Sequence, residues 1–102
     1  MIKFLNISKE TPYIKFQEKY NHAFNQNQTN IEAIAISSYD SKANQVDSRF
    51  VNLKFIDRDE FIFFTNYNSP KSIAFSSHDQ ISALIYWASS NTQIRMKAKI
   101  KK

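Results

Sequence analysis

A mainly β domain with flanking helices is predicted, built on an antiparallel sheet or barrel. Three observations predict it. From residue 31 the apolar spacing changes from a helical period to the two-residue period of strands. The strand-like segments follow one another through short polar turns, which suits antiparallel neighbours and not the long crossovers of a parallel α/β fold. The chain has 102 residues, 42% of them hydrophobic and 15% aromatic, so it can fill one core and is read as a single domain, 1–102.

The elements follow in order. Residues 11–25 read as a helix: Thr11 is placed as the N-cap, Pro12 suits the first helical position, and Tyr13, Phe16, Tyr20, Ala23 and Phe24 recur at helical spacing. The polar stretch 25–30 is a loop. Ile31–Ile36 is a strand that ends at a turn over 39–44. Residues 48–56 alternate, with Phe50, Asn52, Lys54 and Ile56 on one side and Arg49, Val51, Leu53 and Phe55 on the other. A polar turn, Asp57–Glu60, joins this strand to Phe61–Thr65 in an expected hairpin. Ser69, Pro70 and Lys71 begin a short second helix, with Ser69 as N-cap. Ile81–Trp87 is the most apolar strand and is placed centrally. In the last strand, 92–101, Ile94, Met96, Ala98 and Ile100 face one way and Arg95, Lys97, Lys99 and Lys101 the other, a half-solvated pattern. Five strands fall short of the roughly six or more that barrel closure needs. The architecture is therefore expected to be incomplete at its C-terminal end.

Composition removes several function classes. There is no cysteine, so disulfides, thiolate catalysis and cysteine-based metal sites are excluded. His22 and His78 are the only histidines, and no metal site is expected from them. Glycine is also absent, where average usage would give about seven. The Rossmann fingerprint, the P-loop and the nucleophile elbow are thereby excluded in their usual forms. The net charge of +5 resides in the last eight residues, where Arg95, Lys97, Lys99, Lys101 and Lys102 meet no acid; without them nine bases face nine acids. A solvated basic strand is the simple reading of that stripe. No apolar run has the length of a signal peptide or a membrane span, and a cytoplasmic protein with no membrane partner is expected.

Polar residues interrupt three apolar segments: Arg49–Lys54, Phe64–Lys71 and Gln93–Arg95. A helix start carrying Ser69 and Lys71 suits a phosphate ester, because free N–H groups and a partial positive charge gather there. Lys71 and Arg49 supply full charges. Backbone amides of the 49–54 strand suit a flat polar ring, and Gln93, both donor and acceptor, suits the same role.

The order and spacing of these segments resemble the pyridoxamine 5'-phosphate oxidase family, and its N-terminal half only. The resemblance runs from near Phe16 to the end of the chain. It is carried by Arg49, Val51, Leu53 and Lys54, then by Thr65, Asn66, Tyr67, Ser69 and Lys71, with Trp87 and Gln93 beyond. It implies an antiparallel FMN-binding split β-barrel. It implies that Arg49 and Lys71 bind the FMN phosphate at the Pro70–Lys71 helix start, and that Thr65 adds a hydroxyl beside Phe64. The backbone of Phe50, Val51, Asn52 and Leu53 would meet the flavin together with Gln93. Lys54, closing the first motif, would face a phosphorylated pyridine substrate. The implied activity is that of an oxidoreductase of pyridoxal phosphate biosynthesis: oxidation of pyridoxamine or pyridoxine 5'-phosphate, with oxygen as acceptor, in a homodimer. The chain departs from the pattern at Pro70, where the family has Arg, and at Asn52, where it has an apolar residue. Family glycines are replaced in the 40–44 turn, before Phe61 and at Ala98, at an expected cost on the order of 1 kcal/mol wherever φ is positive. The family's second half, which completes the substrate and flavin sites, has no counterpart.

Each residue has a plainer structural role available to it: Arg49 and Lys54 as solvent-facing strand cations, Trp87 as core, His22 as an exposed helix residue and His78 as a loop residue. In family order the functional roles prevail for Arg49, Lys54, Thr65, Lys71 and Gln93. Three functions stand side by side: an FMN-dependent oxidase, a non-catalytic FMN-binding or dimerisation module, and a small basic β-barrel binding nucleic acid through the 95–102 stripe with Tyr86 and Trp87. Dimerisation is expected because an open sheet with an apolar edge near 81–87 needs covering.

Overall fold

Helix α1 (Thr11–Asn25) begins where the sequence places it, but with a different cap. Glu10 is the N-cap residue, in extended conformation and without a side-chain cap bond, and Thr11 is already helical. Pro12 occupies the first turn, where its missing N–H costs nothing. Phe16, Tyr20 and Ala23 form the buried stripe, while Phe24 and His22 are exposed. The computed structural model describes residues 1–64 and 79–101. The expected helix at Ser69–Lys71, with Thr65, Pro70, Lys71 and His78, lies outside the described residues.

Two sheets stand beside α1. The larger has four strands in the order β3 (Gln45–Asn52), β2 (Ala33–Asp40), β6 (Gln80–Trp87) and β7 (Thr92–Lys99), all antiparallel. The smaller has β1 (Lys3–Leu5), β4 (Phe55–Asp57) and β5 (Glu60–Ile62). Here β4 and β5 form the expected hairpin, whereas β1 pairs with β4 in parallel. Strand β1 has no counterpart among the expected elements, because three residues carry too little periodicity to register. Among the described residues the sheets do not close into a barrel.

The expected strand 48–56 is in fact two strands serving both sheets. Leu53 donates its N–H to the Glu32 carbonyl at 2.8 Å and so extends the large sheet. One residue later, Lys54 donates to the Ile62 carbonyl at 2.8 Å and accepts from Lys3 N–H at 3.1 Å, both in the small sheet. The change of partner also changes the buried parity. Val51 and Leu53 are buried, but beyond the break Ile56 is buried and Phe55 only partly so, the reverse of an unbroken alternation.

Aromatic rings join the helix to both sheets. Phe16 meets Phe61 of the small sheet edge-on at 5.1 Å and Trp87 of the large sheet at 5.7 Å. Tyr20 lies 5.1 Å from Phe4 and 5.9 Å from Trp87, and its hydroxyl accepts the buried Ile2 N–H at 2.9 Å. Trp87 is a core residue: its indole N–H donates to the Ile31 carbonyl at 2.9 Å.

Strand β6 is interior, as expected, but it is not an edge. Ile81, Ala83, Ile85 and Trp87 point into the core, and the residues between them point to the other, open face. The apolar surface left uncovered is therefore a sheet face and not an edge near 81–87. It carries Phe50 at 75% exposure and Tyr86 at 60%, and Leu84 stands in the row of Phe50, across Ala35. Strand β7 alternates as the sequence implies, with Ile94 and Met96 against the core and Arg95, Lys97 and Lys99 exposed.

Positive φ occurs at Asn44 in the 40–44 turn and at Arg58 in the turn before Phe61, two of the regions where family glycines are replaced. Ala98 sits in regular β7 opposite Ile81 without positive φ, so no cost arises there.

Candidate functional site

Strand β3 holds the first candidate segment, and its place in the sheet determines what it offers. It is an outer strand, with β2 on one side and, among the described residues, no strand on the other. Antiparallel ladders bond alternate residues. The Leu53–Glu32 bond therefore sets Val51 and Arg49 to bond inward, against Ile34 and Ile36. The N–H and C=O groups of Phe50 and Asn52 consequently point along the open edge. Within the 50–53 backbone, only these two residues present polar groups outward.

The side chains alternate in the opposite sense. Arg49 shares the core-side face with Val51, and its side chain keeps 33% exposure. Its guanidinium is held by the Asp47 carboxylate in an ion pair. Asp47 is absent from the expected site residues, although opposite charges two apart in an alternating strand carry that signal. Phe50 and Asn52 project from the open face.

Lys54 is placed by the junction between the sheets. Hydrogen bonds on both sides fix its backbone, and its side chain is exposed. Phe64 is exposed and makes an edge-on contact with Phe55 at 6.3 Å. Gln93 lies on β7 opposite Tyr86, exposed on the open face.

The structure thus gathers Arg49–Lys54 along one strand and its junction, and it does not bring Gln93 to Arg49. Those two side chains occupy opposite faces of the large sheet. Gln93 does share a face with Asn52, but the two strands stand three spacings apart, ~14 Å. A groove lined by Asn6, Ile7, Ser8, Glu10, Arg58 and Asp59 contains none of the predicted site residues.

A donor set of one guanidinium beside outward backbone amides fits a phosphate ester with a flat polar ring. On this observation the residues present on β3 fit FMN.

The fold belongs to the split-barrel class, over part of its extent. PhzG from Burkholderia lata, solved with tetrahydrophenazine-1-carboxylic acid, superposes with a TM-score of 0.81 at 23% identity, over 86% of this chain and 43% of that one. A pyridoxamine 5'-phosphate oxidase-related, FMN-binding protein from Nostoc punctiforme gives a TM-score of 0.75 at 14% identity, over 89% of this chain and 47% of that one.

In sequence the chain resembles the pyridoxamine 5'-phosphate oxidase family. The pyridoxine/pyridoxamine 5'-phosphate oxidase of Colwellia psychrerythraea is 38% identical over 71 residues, 70% of this chain and 32% of the relative. That of Nostoc sp. is 32% identical over 93 residues, 89% of this chain and 42% of the relative. The chain therefore spans less than half the length of these curated relatives. No family model matches it. Among the described residues, no helix is long and apolar enough to cross a membrane.

Proposed function

We propose that this chain binds FMN in the manner of the pyridoxamine 5'-phosphate oxidases. The observation that carries the reading is Arg49 on an outer strand whose open edge, at Phe50 and Asn52, presents backbone donors and acceptors beside it. Arg49 holds the phosphate together with Lys71, and Thr65 supports it beside Phe64. Phe50 and Asn52 meet the ring. FMN, when bound, supplies the hydride-accepting chemistry, with oxygen as the final acceptor. The chain's own residues bind and orient: Lys54, its backbone fixed in two directions, directs an ammonium toward a phosphorylated pyridine.

Gln93 and Arg49 of one chain lie on opposite sheet faces, and the strands of Gln93 and Asn52 stand ~14 Å apart, so an assembly is the route by which Gln93 meets the flavin ring. A homodimer that covers the open face around Phe50, Leu84 and Tyr86 supplies one. A cytoplasmic location accords with the absence of cysteine.

A titration of the purified chain with FMN, read by flavin fluorescence with the molecular mass measured on the same sample, tests this. Saturable binding by a dimer, abolished in the Arg49→Ala/Lys71→Ala double variant, is expected. Unchanged affinity in that variant removes the phosphate-site assignment. A second reading, a non-catalytic FMN-binding or dimerisation module, differs from the first in predicting no turnover. Binding without conversion of pyridoxamine 5'-phosphate to the aldehyde selects it. Oligonucleotide binding that weakens steeply with salt, in the absence of flavin binding, selects the nucleic-acid reading.

A further inference from the structure

We infer that Asp47 competes with the phosphate of the ligand for Arg49 and so sets how tightly strand β3 holds a phosphate ester. The inference deepens the reading of Arg49 given above and rests on it for the identity of the ligand.

Asp47 and Arg49 are two residues apart on β3, so their side chains emerge on the same face. One Asp47 carboxylate oxygen accepts the Ser48 N–H at 2.9 Å, which fixes the group close to its own backbone. The other takes the Arg49 guanidinium. Across the strand, Arg49 stands opposite Ile36 and Asp47 opposite Ser38, so β2 brings no further charge to this face at these positions. The Asp47 side chain is 63% exposed, against 33% for that of Arg49. The pair is thus open to solvent and exchangeable, not locked in the core.

An incoming phosphate presents the same chemistry to Arg49 as the carboxylate does: anionic oxygens matched to the planar fork of N–H donors. It must therefore displace Asp47 or bind beside it against like-charge repulsion. In either case Asp47 lowers the affinity for phosphate and leaves the affinity for an uncharged ring unaltered. A ligand lacking the phosphate has nothing to gain from removal of the acid.

Two titrations test this on the wild type, Asp47→Asn, Arg49→Ala and the double variant. In the first, FMN and riboflavin are compared by fluorescence quenching. In the second, run on the wild type and Asp47→Asn, inorganic phosphate is added while the Arg49 side-chain NH resonance is followed by NMR. Asn retains the shape of Asp and can still accept the Ser48 N–H, so the fold is unaffected. Asp47→Asn should tighten FMN by about two- to five-fold, the range of an exposed ion pair, and leave riboflavin unchanged. It should lower the phosphate concentration that shifts Arg49 by a similar factor. In the Arg49→Ala background the Asp47 substitution should have no Arg49-dependent effect on FMN. Phosphate binding to Arg49 that is unchanged or weaker in Asp47→Asn overturns the inference and makes Asp47 a support for the arginine. If phosphate tightens as expected while no variant binds FMN, the competition stands and the flavin reading fails.

Discussion

Asparagine does in this chain what glycine does elsewhere. Asn6, Asn27, Asn30, Asn44 and Asn91 all have positive φ, in a sequence with no glycine. Asn tolerates the left-handed region better than other residues with a Cβ, because its short amide bonds locally. Arg58 has φ of 56° and no such device. Replacing Arg58 by Gly removes a cost of about 1–2 kcal/mol in the folded state, partly offset by the extra freedom of the unfolded chain. A net gain of about 0.5–1 kcal/mol in urea unfolding is expected. A loss of stability would show instead that the contacts of the Arg58 stem outweigh its backbone strain. At this scale the sequence was partly legible. The missing glycines pointed to the 40–44 turn and the turn before Phe61, but only the folded path shows that Ala98 escapes the penalty. Likewise the Asp47–Arg49 pair was available from spacing alone, whereas the 48–52 edge that exposes Phe50 and Asn52 depends on strand order.

Among the elements, α1 holds the two sheets together through one ring. Phe16 touches Phe61 and Trp87, which belong to different sheets. Truncating a buried Phe to Ala costs about 3–5 kcal/mol, a large share of the roughly 5–15 kcal/mol that stabilises a domain of this size. Phe16→Ala should therefore lower Tm by more than about 12 °C, while Phe24→Ala, on the exposed side of the same helix, should change stability by no more than about 0.5 kcal/mol. Equal effects in a thermal scan would mean that α1 does not bridge the sheets. Helix α1, β6 and β7 were legible because each has an intrinsic period, whereas β2 runs over Ala33–Asp40 and not 31–36, and β3 begins at Gln45 and not 48. The break between Leu53 and Lys54 was not legible. Nothing local distinguishes those two residues; the separation arises from partners that are distant in sequence, Glu32 for one and Lys3 with Ile62 for the other. Sequence periodicity reports which face a residue takes within a strand, not which sheet the strand has joined.

For the molecule as a whole, the uncovered face of the large sheet is the dominant surface feature. Phe50, Leu84 and Tyr86 lie there beside the unburied halves of β7. If a second copy covers this face, charging it on both flanks, as in Phe50→Asp/Tyr86→Asp, should convert a dimer to a monomer in sedimentation without altering the circular dichroism. A monomeric wild type would refute the assembly and with it the route by which Gln93 reaches the flavin. The shared strand at residues 53 and 54 also has a kinetic meaning. Two small sheets with separate backbones would open independently and exchange their amide protons on separate clocks. Here consecutive amides belong to different sheets, so neither sheet can peel away without unseating the first bond of the other. The Leu53 and Lys54 protons should accordingly exchange at one common rate, set by global unfolding, and their protection should fall together as denaturant is raised.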